Sequence, residues 1–190
     1  MGEIAGKAKM PSLKFAFPPN GDQSLKANQA FTIKANLKNL DVRATPYYWY
    51  LTTLIRSCRP VISSTHSRTI SRYEPLTSSL RFPLIESSSM QAPQRLNAQG
   101  VIIGHSHFVI EAIPSLGSTA PTNPQAFAFF KGVDTAADAN GQLTVAVTAG
   151  LPAGVYRLAS LNSASNHQPV LVNIAQHGFL DDAVYVGPRS

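Results

Sequence analysis

Residues 30–38 alternate without a break, Phe31, Ile33, Ala35 and Leu37 interleaving with Thr32, Lys34, Asn36 and Lys38. A period of 2 is that of side chains along an extended chain, so this segment reads as a strand with one face on a core and one in water. Such a strand is stable only inside a larger sheet, and the rest of the chain has to supply partners. It does so at regular intervals. Residues 13–17, 100–113, 126–131, 142–148, 154–162, 170–175 and 183–186 read as further strands, separated by Pro, Gly and Asn clusters such as Pro18-Pro19-Asn20-Gly21. No segment carries the 3.6-residue period of an amphipathic helix. The expected fold is all-β, an antiparallel immunoglobulin-like or related sandwich.

One stretch does not fit it. Residues 43–90 contain no Gly, Asn, Asp, Gln or Lys and one Ala, but 16 Ser or Thr, the only Trp and the only Cys. They hold apolar pieces without a sustained period, so a poorly ordered insertion is expected, with a short helix over 48–56. The domain organisation is then residues 1–42 and 91–190 as two parts of one sandwich, with 43–90 interrupting it.

Charge divides the same way. The net +6 resolves into +3 for residues 1–42, +4 for 43–90 and −1 for 91–190. A basic balance of this size suggests nucleic acid as a partner when it is gathered on the folded unit. Here it lies outside the larger part of the sandwich, and no nucleic-acid partner is expected. No run approaches the roughly 18 apolar residues of a membrane span, and residues 1–7 lack the apolar core of a signal peptide, so the chain as written would remain cytoplasmic. The lone Cys58 excludes an internal disulfide and a cysteine-rich zinc site.

Several strings in fixed order carry a resemblance: Phe-Pro-Pro-Asn-Gly-Asp from Phe17, Ala-Pro-Gln-Arg-Leu-Asn-Ala-Gln-Gly from Ala92, Gly-His-Ser-His from Gly104, Phe-Ala-Phe-Phe-Lys-Gly from Phe127, Gly-Leu-Pro-Ala-Gly-Val-Tyr-Arg from Gly150, Asn-His-Gln-Pro-Val-Leu from Asn166 and Gln-His-Gly-Phe-Leu-Asp-Asp from Gln176. Over residues 1–42 and 92–187 the chain resembles an uncharacterised family of secreted fungal proteins. The resemblance implies an extracellular fungal protein and carries no activity. Against that family pattern, Met1 looks like an internal methionine and 43–90 like intervening sequence read through into the coding frame. Val42-Arg43 and Met90-Gln91 can be encoded by splice-donor-like and splice-acceptor-like sequences. A genuine surface-loop insertion is the alternative, since loop length costs little.

The histidines hold the chemistry. His105 and His107 lie two apart on an expected strand and so share a face with Glu111. Two imidazoles at that spacing can chelate one Zn or Cu ion if further donors arrive from elsewhere. His177 is the preferred third ligand, because Gly178 permits an unusual turn that aims the ring, and His167 is the fourth or a supporting group. Asp181 and Asp182 can add oxygen ligands or acceptors. The alternative places each histidine in a turn or half-buried against backbone carbonyls; that structural reading stands first and the metal reading second.

Other motifs point away from catalysis. Asp138-Ala139-Asn140-Gly141 lacks the remaining ligands of a calcium loop and reads as a hairpin turn. There is no Gly-x-Ser-x-Gly elbow and no phosphate-cradling glycine loop. Phe127, Phe129 and Phe130 read as core, which leaves Tyr156 and Tyr185 to any carbohydrate-binding face. The expected function is that of a non-catalytic secreted protein with no cofactor, binding a cell-wall polysaccharide or a surface protein. The alternative is a histidine-based Zn or Cu metalloprotein, catalytic or metal-sequestering.

Overall fold

The computed structural model describes residues 2–42, 93–133 and 135–189. The expected insertion at 43–90, including the short helix over 48–56, lies outside the described residues. Within them the fold is all-β: nine strands and one 3-10 turn at Lys7–Lys9. None of the described residues forms a helix long and apolar enough to cross a membrane.

Two sheets face one another. The smaller joins β1 (Ser12–Phe17), β2 (Phe31–Lys38) and β7 (Gln142–Val147) in the order β1-β2-β7, with both pairs antiparallel. The larger is centred on β5 (Ile102–Ile113), which pairs along ten residues with β8 (Val155–Ala164). β9 (Ala183–Val186) continues beyond β8, while β6 (Phe129–Val133) flanks β5 on its other side.

The alternation over 30–38 does what its period requires. Ile33 and Ala35 are fully buried, and Phe31 and Leu37 pack against the core from its edges. Leu13 and Phe15 of β1 and Leu143, Val145 and Val147 of β7 complete that layer. The facing layer comes from Phe108 and Ile110 of β5, Tyr156 and Leu158 of β8, and Val184 and Val186 of β9. The layers meet at Phe15 and Phe108, whose rings stand 5.2 Å apart edge to face. That geometry contributes roughly 0.5–1.5 kcal/mol beyond area burial. Asp182 ties the same seam: one carboxylate oxygen accepts the Phe15 amide at 2.9 Å and the other the Lys14 ammonium at 3.2 Å.

The structure departs from the expected strands in two ways. Two short strands join the start of β5: β3 (Leu40–Val42), which is parallel to it, and β4 (Arg95–Leu96). With three and two residues they are too short to carry a period. β3 exists because Asn39 adopts a left-handed conformation (φ 58°), anchored by its side-chain amide on the Ala8 and Met10 carbonyls. The chain thereby leaves β2 in one sheet and enters the other. Conversely, 170–175 is not a strand. The amide of the buried Gln94 bonds both the Leu171 N–H, at 2.8 Å, and its C=O, at 3.0 Å, in place of a neighbouring strand.

Candidate metal centre

Along β5 the even positions Ser106, Phe108 and Ile110 turn to the core, and the odd positions His105, His107, Val109 and Glu111 to the outer face. His105 and His107 are nonetheless buried, at 4% and 8% exposure, because neighbouring elements cover that end of the face. β6 sets Gly132 opposite His107 on one side, and β8 sets Leu161 opposite it on the other. At Gly104, one residue before His105, β8 comes so near that an added β-carbon would collide with the Ser163 carbonyl oxygen. Glycine is required there by contact.

The two Nε2 atoms of the pair lie 3.2 Å apart. Two nitrogens bound tetrahedrally to one ion at about 2.05 Å are separated by about 3.3 Å, so the pair already has a chelating spacing. β8 delivers a third ring. It ends at Ala164, the chain reverses through 165–168 with Ala164 N–H bonded to the Gln168 carbonyl, and the Asn166 side chain accepts the Gln168 amide at 3.1 Å. At the apex His167 takes a left-handed backbone conformation, φ 66°, which costs a non-glycine residue energy. That turn brings its ring to 4.7 Å from His105 and 5.4 Å from His107, centroid to centroid. One nitrogen from each of the three falls within 4.8 Å of the others.

Burial pulls the pKa of His107 below its usual 6.5, and repulsion from His167 pushes it the same way. A hydrogen bond to the Leu161 backbone opposes both. Because that bond favours the protonated ring, the ring is its donor, an anchoring that metal-binding imidazoles commonly use. A lowered pKa favours the neutral ring, the form in which an imidazole binds metal without competing with a proton.

The other expected donors stand elsewhere. His177 is exposed, its Nδ1 2.6 Å from the Gly178 carbonyl oxygen, and is not in the cluster; Gly178 has no positive φ with which to redirect it. Asp181 works on the inner side of the sheet, where Oδ1 accepts the Ser160 hydroxyl at 2.9 Å and the Asn162 amide at 2.8 Å. Burial raises its pKa against those two bonds. Glu111 shares the histidines' face but binds Arg157 at 2.6 and 3.0 Å. Asp138 is used up by the backbone amides of its own turn, those of Asn140 and Gln142.

The aromatic residues also sort differently from expectation. Phe129 packs on the core, but Phe127 and Phe130 are 52% and 46% exposed, and Tyr156 is buried with its hydroxyl on the Pro152 carbonyl. Phe129 and Phe130 are adjacent on a strand, so their rings must point to opposite faces, and Phe130 follows the outer one. It lies 5.2 Å from the His107 ring, and Phe127 5.7 Å from Phe130.

Residues 82–187, more than half of the chain, match the CLU5d N-terminal domain family. The chain belongs to this family. All three clustered histidines lie in the matched region. The chain is also similar to Pathogenicity cluster 5 protein d of the fungus Colletotrichum graminicola, at 35% identity over 185 residues. That match takes in 96% of this chain but 30% of the relative, so the chain spans under a third of the relative's length. No solved structure matches it.

Proposed function

We propose that this chain is a metal-dependent binding module of the fungal exterior, holding one Zn or Cu ion through His105, His107 and His167. The observation that carries the reading is the convergence of the three rings, one nitrogen from each within 4.8 Å of the others. Imidazole-only donor sets suit zinc and copper. The expected alternative, histidines that serve structure alone, accounts for part of the geometry, because the 3.2 Å between the two Nε2 atoms also fits a ring-to-ring hydrogen bond. It gives no reason for the turn through 165–168 to carry a third imidazole onto the pair. The extracellular setting is supported by the resemblance to secreted fungal proteins, and a role in pathogenicity by the relative's name as a pathogenicity cluster protein. Among the described residues the cluster contains histidines alone.

Calorimetric titration of protein purified without a histidine tag tests this. One equivalent of Zn(II) or Cu(II) should bind at micromolar concentration or tighter. His167→Ala should weaken binding and His177→Ala leave it intact. Equal affinity in wild type and His167→Ala would refute the site.

A further inference from the structure

Resting on that metal reading, we infer that the ion takes its next ligand from outside the protein, as the carboxylate of a molecule that also lays a flat apolar face on Phe130 and Phe127. Three neutral imidazoles compensate none of the charge of a divalent ion. Among the described residues no carboxylate joins the cluster, and Glu111, Asp181 and Asp182 are held by Arg157, by Ser160 and Asn162, and by Lys14 and Phe15. An anionic ligand therefore gains a charge that nothing in the centre offsets. Zinc sites with three protein ligands keep a fourth position for water or substrate, and here His167, itself exposed, marks the side open to solvent.

The surroundings of that opening select what carries the carboxylate. Phe130 is tilted 31° from the His107 ring at 5.2 Å, and Phe127 extends the surface a further 5.7 Å. Leu161, 49% exposed, stands opposite His107 on β8. Gly132 puts no side chain on β6 beside His107. Large apolar groups left half exposed around a polar centre form a wall for a ligand's apolar face. Aromatic rings favour a flat one, reached by stacking. Free aromatic acids and the uronate units of acidic polysaccharides share this chemistry, a carboxylate on a ring with an apolar face.

Co(II) provides the probe, since its visible bands respond to a change of ligand. Benzoate should shift the bands of Co(II)-loaded wild-type protein with a Kd at least tenfold below that of acetate. The double variant Phe127→Ala/Phe130→Ala should lose that advantage while still taking up one equivalent of Co(II). A galacturonate trimer tighter than benzoate would assign the ligand to acidic polysaccharide, and a weaker one to a free aromatic acid; both uphold the inference. Equal Kd for benzoate and acetate, or an advantage that survives in the double variant, overturns it and leaves the metal site standing. Failure to bind Co(II), Zn(II) or Cu(II) overturns the metal reading as well.

Discussion

The outer face of the large sheet carries two clusters of polar side chains, four residues apart on β5, and they are built on opposite principles. At one end Glu111 and Arg157 satisfy each other through two hydrogen bonds onto one carboxylate oxygen, with the Thr122 hydroxyl as a further partner of Arg157. At the other end His105, His107 and His167 are three groups of one kind. Opposite charges neutralise each other; three bases do not, and protonating one raises the cost of protonating the next. The first cluster is complete without a ligand; on the proposed metal reading, a cation would complete the second.

The sharpest way to break this comparison is at Gly104. Gly104→Val forces a side chain into the Ser163 carbonyl and separates β5 from β8 beside the histidines. Chemical denaturation should show a loss of about 3 kcal/mol or more, and Zn(II) binding should vanish with it. Gly132→Ala is the control: its new methyl group would sit 3.6 Å from the His107 ring, an ordinary contact, and should cost less than about 1 kcal/mol.

Removing a ligand separates the two ends directly. His107→Ala should weaken Zn(II) at least about 100-fold, or about 2.7 kcal/mol, since disturbing even a ligand's supporting partner costs 10–100-fold. In the reverse experiment, Glu111→Gln should cost about 1–2 kcal/mol of folding stability, because the charge-assisted bonds to a half-exposed Arg157 are weakened rather than lost. Its Zn(II) affinity should match wild type within twofold. A large loss of metal affinity in Glu111→Gln would show that the two ends are one site.

The smallest effect is on pH dependence. The folded protein holds the pKa of His107 below 6.5, so the unfolded chain binds the proton more readily. This group's contribution to stability is fully present above pH 6.5 and is lost as pH falls below it. Metal-free wild type should therefore lose stability more steeply below pH 6.5 than His107→Gln. Zn(II) should flatten the wild-type curve near pH 6 by keeping the ring deprotonated. Parallel curves for wild type and variant would remove His107 from the account.

The sequence by itself determined what depends on neighbours along the chain. A period of 2 is local geometry, so the alternation over 30–38 placed Ile33 and Ala35 in the core, and the spacing of His105 and His107 put both on one face of β5. The same period could have shown Phe129 and Phe130 on opposite faces. Which face held the core was a matter for β5, whose register with β6 sets Phe130 beside Val109. The short β3 and β4 have no period to read, and the Gln94 side chain that replaces a strand partner for Leu171 acts across 77 residues of chain.

Only the tertiary structure decided the third ligand. From the sequence His177 and His167 were both available, and the glycine beside His177 favoured it. The antiparallel pairing of β5 and β8 brings Ser163 opposite His105, and a turn of a few residues then returns His167 over the same end of the face. That placement depends on a register between segments some 60 residues apart and on a backbone conformation that histidine adopts at a cost. Neither leaves a mark in the local pattern, because the pairing that compensates the strain exists only in the folded sheet.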